Sequence, residues 1–563
     1  MLFPVIVHKY QLFSGSLTFI KNTPVYLSGM KGANHPRIDR RTLLKLTGAA
    51  GVTTGLGSIA GCLGNPNEGE GLDVETLTIT QGEFPDVEDP NDHITGPYFN
   101  VYDHVYEPLF DVTPGEEPEP RVVEEWEHGD DRTVELSIRD DVVFHEGQEL
   151  TAEDIAFTLE RQIDPDVPPV SDQVAGLGSI EGAEPIDDTT VELSYSGAAQ
   201  LAEFEFGNYL RAVSREWYEN DAPTTEDGVI SGQDAAAFNG TGPFQVTEYN
   251  PGQNRIVLEP FDDYWGEVPE VGELIFEGET DDGGRVSSLL ADETDFIDNV
   301  QPSDVGNVED ADGVRIEEVT SFRNIFLPMK NEVEPFDSLE FRQAMNYAVD
   351  NEAIINDILQ GFGSPMSQPT PPEVNGYNPD LEPYEHDLEE AEALVEEAGY
   401  TADDPADITL TVPEGRYLND ADVGERAADD IDQLPNVDCD FETVPFDVVS
   451  DASSAGVDYE EIPFFLIGWG VITGDADYGM FGFFHDDGGV QNFRDEELQQ
   501  ALEETQVEDD PETREEMLQD VNEMAREKAP WVFLHQQQSI YGLDADIEWD
   551  AREDESVFVW EMS

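Results

Sequence analysis

The segment Phe464-Phe465-Leu466-Ile467-Gly468-Trp469-Gly470 is an apolar run that ends in glycines and an indole, and Asp475, Asp477 and Tyr478 follow it. Aromatic surface beside carboxylates suits a binding wall, because a carboxylate held in a dry cleft interacts strongly with a donor or cation. Asp475 and Asp477 compete for that role, and each is also one acid among many. Arg323, in Ser321-Phe322-Arg323-Asn324, offers a planar fork either to a ligand carboxylate or to neighbouring acids. Tyr98-Phe99-Asn100 is a softer candidate of the same kind. Covalent chemistry has no such support. There is no Gly-x-Ser-x-Gly and no His-Glu-x-x-His; His145-Glu146 needs a histidine at 149, where Glu149 stands. The turn Gly240-Thr241-Gly242-Pro243 lacks the Gly-Lys-Ser/Thr of a phosphate cradle, and its glycines are expected to supply backbone angles that other residues avoid. The 9 histidines show no metal-ligand spacing. The expectation is a binding protein, not an enzyme, with no catalytic residue, no metal and no cofactor.

The elements that must position these residues can be read from periodicity. Thr76–Thr80, Val134–Ile138 and Val191–Tyr195 alternate as strands. Thr151 with Asp154 forms a capping-box start for a helix through Ile155, Phe157 and Leu159. Leu339–Leu359 carries apolar residues at helical spacing, and Leu388–Ala398 is a helix stopped by Gly399. Glu496–Lys528 holds two helices broken near Pro511. Strands and helices interleave without a repeat, so the fold class is α/β.

The chain has 563 residues with Lys+Arg 26 against Asp+Glu 127, a net charge of −101. That length allows two or more lobes with an ample core, and the charge excludes nucleic acid as a partner. Residues 1–61 hold seven of the basic residues and a single acid, Asp39; the remaining 502 residues hold 19 basic and 126 acidic residues. Asp39-Arg40-Arg41-Thr42-Leu43-Leu44-Lys45 resembles a twin-arginine export signal, and the weakly apolar Leu46–Ile59 is too short to span a membrane convincingly. Ile59-Ala60-Gly61-Cys62 resembles a lipobox, which implies a lipid on Cys62, and residues 62–74 read as a flexible tether. Met30 offers a second start that places residues 1–29 outside the protein. Cys439 is then the only thiol left, and no internal disulfide is possible.

Collinear motifs carry a wider resemblance. Ile138-Arg139-Asp140-Asp141-Val142-Val143-Phe144-His145-Glu146-Gly147 and Leu150-Thr151-Ala152-Glu153-Asp154-Ile155 come first. Then follow Asn239–Phe244, Asp263-Tyr264-Trp265, Arg342-Gln343-Ala344 with Ala348-Val349-Asp350, and Ala529-Pro530. Together they resemble the dipeptide/oligopeptide-binding family of ABC-importer solute-binding proteins, family 5, over about residues 75–540. The resemblance implies a two-lobed, class II periplasmic-binding-protein clamshell with an extra subdomain in lobe I. Lobe I is then residues 75–100, 236–322 and 526–563, the subdomain 101–235, and lobe II 323–525. It also implies that Trp469 walls the cleft and that an acid after it meets a peptide's α-amino group. The family has that acid three residues after the Trp; here Asp475 stands six after it, with Val471-Ile472-Thr473 between. Tyr98, Asn100, Arg323, Asn324, Asp477 and Tyr478 are the other cleft candidates.

The implied partners are a small solute, a peptide first, and the ABC permease membrane subunits. The implied location is the extracellular face of the cell membrane, reached by the twin-arginine route and held by the lipid, with the protein a monomer. The same scaffold with an oligosaccharide or metal-chelate cargo, or an exported hydrolase, are the alternatives. The spread of acids along the whole chain resembles secreted proteins of extreme halophiles, where salt relieves self-repulsion. The Debye length grows from about 3 Å at 1 M salt to about 10 Å at 0.1 M. Circular dichroism across a KCl titration is therefore expected to show the fold loosening towards 0.1 M; an unchanged spectrum contradicts this.

Overall fold

The computed structural model describes residues 72–563, apart from stretches at 86–87, 93–94, 113–117, 130–131, 164–179, 196–201, 226–227, 487 and 509. The described residues all belong to the second of two units, Met1–Glu68 and Gly69–Ser563. Arg40, Arg41 and Cys62 lie in the first, outside the described residues. Among the described residues no helix is long and apolar enough to cross a membrane.

A nine-stranded sheet organises the second unit. Its order is Ile467–Gly470, Val314–Pro328, Trp531–Asp544, Phe296–Ile297, Val74–Gln81, Val271–Gly278, Arg255–Pro260 and Phe244–Asn250, with Ser364–Pro365 added on Trp531–Asp544. The first strand runs parallel to Val271–Gly278 and buries Leu77 and Ile79, as its alternation requires. A separate four-stranded antiparallel sheet, Val123–His128, Thr133–Ile138, Thr190–Tyr195 and Ile180–Pro185, has its own core with the Ala152–Ile163 helix. Both lie within residues 101–235, the span expected for the extra subdomain. Thr151 accounts for the helix start, since its backbone N–H and its hydroxyl both donate to Asp154 Oδ2, at 2.9 and 2.8 Å.

Two long strands tie the main bodies together. Val314–Pro328 and Trp531–Asp544 pair antiparallel almost throughout, but the register shifts between Thr320 and Asn324. There, residues 321–323 face Gln537 alone, which makes a bulge that bends the pair. Beyond the bulge Phe326 stacks on Trp531 at 3.7 Å, in one core with Phe464–Ile467 and the Ala406–Pro413 strand. Before it, Tyr541 and Leu543 join Leu77, Ile79 and Phe276 in another. Each strand thus serves both cores.

Several expectations need correction. Leu339–Leu359 is not one helix. It stops at Ala348, Val349 is extended (φ −82, ψ 124), and Asp350 caps a new turn by accepting from Ala353 N–H at 3.0 Å. Helical spacing survives a one-residue break, so periodicity alone missed it. The expected boundary at 526 falls inside the Pro511–Lys528 helix, and Trp531–Leu534 still pack in the larger core; the chain leaves that core only within the next strand. The boundary at 100/101 falls inside the Gly96–Val105 helix. Gly240 and Gly242 have no positive φ. They are required by close approach instead: a Cβ on Gly240 would lie 2.0 Å from Val105 O, and one on Gly242 2.5 Å from His104 O.

That contact sets a test. Gly240→Ala is expected to cost about 2 kcal/mol or more, because backbone rather than a side chain must give way. Gly306→Ala, on the Pro302–Glu309 helix with nothing within 4 Å of its Cβ position, is expected to gain about 0.5–1 kcal/mol. Urea midpoints of the two variants should move in opposite directions.

Candidate functional site

A cavity of about 80 Å³ lies where the strand bulge, the Gly96–Val105 helix, the Ile467–Gly470 strand and the C-terminal segment meet. The Gly96–Val105 helix offers Phe99, Asn100 and Asp103. The loop after Ala406–Pro413 offers Arg416 and Tyr417, and the Phe446–Ser454 helix offers Phe446, Ser450 and Ser453. The chain end brings Asp554, Glu555 and Ser556.

Arginine dominates the electrostatics. Only 19 basic residues follow residue 61, yet Arg211, Arg323 and Arg416 all line this one cavity. Each guanidinium lies over a ring: Arg211 4.6 Å from the Phe99 centroid, Arg416 5.1 Å from both Tyr417 and Phe446, and Arg323 5.9 Å from Tyr417. Arg323 donates through Nε and Nη2 to Glu555 Oε2 at 2.9 and 2.6 Å. Gln537 and Ser539 occupy the other Glu555 oxygen at 2.9 and 2.7 Å. Burial opposes both charges, but their attraction wins: the Arg323 pKa is raised and that of Glu555 lowered. Glu555 also has φ 66, a strained value for a residue with a side chain, held by these four contacts. Asp103 is different: burial raises its pKa in spite of Arg211.

The expected residues part company here. Trp469, Tyr478, Asn100 and Arg323 line the cavity. Trp469 and Tyr478 sit 5.4 Å apart, and Asn100 Oδ1 accepts from Val557 N–H at 3.0 Å. Of the two readings of Arg323, the structure has the pairing with an acid, but buried rather than at the surface. Tyr98 lines an adjoining pocket with Glu83, Phe84 and Arg416. Asn324 is buried outside the cavity and donates to Pro369 O.

Asp475 and Asp477 need correction, for neither lines the cavity. Asp475 caps the Ala476–Phe484 helix and receives both Arg514 terminal nitrogens, at 2.5 and 2.9 Å, with Asn375 at 2.8 Å. Asp477 accepts from Thr505 and Gln506 at 3.3 and 3.1 Å. Both tie the helix down. Ile472, the third residue after Trp469, is the one at the cavity wall, and it packs against the subdomain core with Tyr478.

Sequence reasoning missed Asp103, Arg211, Arg416, Tyr417, Phe446 and Glu555. One signal was available: in a chain this poor in cations, the few arginines are worth weighing as site residues. Nothing in the local sequence of Glu555 separates it from its acidic neighbours.

The comparisons agree with this architecture. The profile of the bacterial extracellular solute-binding proteins, family 5 Middle, matches residues 117–491. The dipeptide-binding protein of Escherichia coli (strain K12) is 30% identical over 280 residues, which cover 46% of this chain and 51% of that protein. The chain thus spans about half the length of the curated relatives it matches. Among solved structures, the periplasmic binding protein DppA from Helicobacter pylori in complex with peptide STSA superposes with a TM-score of 0.77. It is 20% identical, covering 86% of this chain and 97% of that one. NikA from Staphylococcus aureus in complex with Ni(L-His)2 gives 0.75 at 18% identity, covering 87% and 99%. These likenesses show the two-lobed fold.

Asp477 yields a pH prediction. Burial pushes its carboxyl up to about 6, with Asp475 adding to the shift and Arg514 opposing it. An unfolded Asp titrates near 3.9, so the folded state favours the protonated form. That stabilisation is complete below pH ~4 and is lost as pH rises through about 6. Asp477→Asn, which cannot ionise, is expected to gain roughly 2 kcal/mol on wild type between pH 4 and pH 7.5. Paired urea melts check this; a difference independent of pH contradicts it.

Proposed function

The chain belongs to family 5 of the bacterial extracellular solute-binding proteins, and from that membership we propose that it is the binding component of an ABC importer. It closes two lobes on a small solute and passes it unaltered to membrane permease subunits. One observation carries the reading: the cavity lies at the bend of the two strands that serve both cores, where a hinge motion changes its size most. About 80 Å³ is less than the ~150 Å³ that admits a benzene ring, so a cargo of any size must part the walls before they close on it.

Peptide is the first cargo class, supported by the dipeptide-binding relative and by the peptide in the Helicobacter pylori structure. A metal chelate is supported to a lesser degree by the nickel–histidine complex of a protein with the same fold. A hydrolase has less support, since the matched family is one of solute-binding proteins. In this reading Arg40 and Arg41 direct export, and Cys62 carries the lipid that holds the protein at the outer membrane face. Residues 62–74 form the leash, and the acidic surface is an adaptation to salt. We read the lobes in the same order along the chain, with the second crossing inside Trp531–Asp544.

The test is material purified at high salt. Native mass spectrometry is expected to find a stoichiometric small molecule. After it is stripped by denaturation and the protein refolded, adding it back should lower the radius of gyration in small-angle scattering. Chemical conversion of the molecule, or scattering that does not respond to it, contradicts the proposal.

A further inference from the structure

Arg416 stands on the loop that follows Ala406–Pro413, in lobe II on the reading above. Asp420 fixes that loop, accepting from the backbone N–H groups of Gly415, Arg416 and Tyr417 at 3.1, 2.8 and 3.0 Å. The side chain is only 11% exposed and lies over the Tyr417 and Phe446 rings, so the guanidinium is presented in one direction.

The acids it meets all belong to lobe I. Glu83, just after the first strand, places Oε2 3.6 Å from Arg416 Nε. Two buried acids feel the same charge. Burial raises the Asp298 carboxyl, while Arg285, the Gly82 N–H and Arg416 draw it down. Burial also acts on Glu555, where Arg323 outweighs it with help from Ser539 and Arg416. The backbones of the two lobes meet at the same place: a Cβ on Gly415 would lie 3.2 Å from Thr280 O, and one on Gly82 3.6 Å from Gly415 O. The groove alongside takes Asp281 from lobe I and Glu414 and Asp422 from lobe II. Without Arg416, closure at this edge brings acids of one lobe against acids of the other.

Building on the two-lobe solute-binding reading, we infer that Arg416 is a latch that keeps part of the cargo-free protein closed, a cation of lobe II seated among Glu83, Asp298 and Glu555 of lobe I. The latch is made to release. Asp298 keeps Arg285 and Glu555 keeps Arg323 when Arg416 withdraws, so neither is left buried without a cation. The contact with Glu83 is long for a hydrogen bond and is given up at little cost. Closure before cargo arrives lowers the apparent affinity by the fraction of protein that is shut.

Small-angle scattering at high salt on the cargo-stripped full chain tests this, because a group that only contacts cargo cannot change the shape of the empty protein. Arg416→Gln is expected to lower the closed-to-open ratio by about fivefold or more, and so to give a larger radius of gyration than empty wild type. Glu83→Gln, at a partly exposed side chain, should shift it the same way by less. Arg416→Lys should return part of the shift, since the charge is kept. Far-UV circular dichroism matching wild type shows that the variants are folded. Empty Arg416→Gln and Glu83→Gln proteins that scatter like wild type overturn the latch, as does an Arg416→Lys protein as open as Arg416→Gln. If the co-purified solute still contracts wild type in that case, the transport reading stands. If the variants expand but the solute contracts none of the proteins, the latch stands and the transport reading falls.

Discussion

A carboxylate can be buried at neutral pH only if a cation or several donors are buried with it. This chain has acids in great excess and few cations, and its buried arginines mark where the interior is polar. Asp89 has Arg161, Asp103 has Arg211, Asp298 has Arg285, Asp475 has Arg514, and Glu555 has Arg323. Such pairs are seldom large net stabilisers, since desolvation consumes most of their attraction, but losing one partner is expensive. They therefore fix geometry more than they add stability. Arg161–Asp89 pins the loop after the first strand to the subdomain, with Asp89 also accepting from Ile230 N–H at 3.0 Å. Arg323–Glu555 pins the chain end to the strand bulge.

The cavity is the place where this constraint and the sheet coincide. A bulge leaves residues 321–323 off the ladder, so Arg323 can turn its guanidinium towards Glu555 while its backbone pairs with Gly470. Tyr417 closes the same corner, its hydroxyl donating to Gly468 O at 3.2 Å. The packing there is tight enough that a Cβ on Gly468 would come within 2.6 Å of Ile325 and 2.7 Å of Tyr417. The cleft wall is thus built from backbone-close contacts on one side and paired charges on the other.

Much of the scaffold was legible in the sequence. The alternating strands Thr76–Thr80, Val134–Ile138 and Val191–Tyr195 lie within observed strands, and Gly399 stands at φ 106 where the Leu388–Glu397 helix ends. Alternation and end signals are local, and burial of one face follows from them. The break at Val349 was not legible, because the bond from Asp350 N–H to Asp430 Oδ2, at 3.0 Å, comes from 80 residues away.

The site divides along the same line. Trp469, with an apolar strand before it and glycines on either side, declared itself a wall residue, and the charge switch after residue 61 declared a boundary. Composition established the acidity, periodicity the α/β class, and the collinear motifs the resemblance to solute-binding proteins. Only the tertiary structure decided that Asp475 and Asp477 serve a helix and that Ile472 faces the cavity. It also decided that Arg211, Arg416 and Glu555, far apart in the chain, share one small space. The reason is physical: a carboxylate's role depends on which cation reaches it, and in a chain with more than a hundred acids that choice is made by long-range packing rather than by neighbours in sequence.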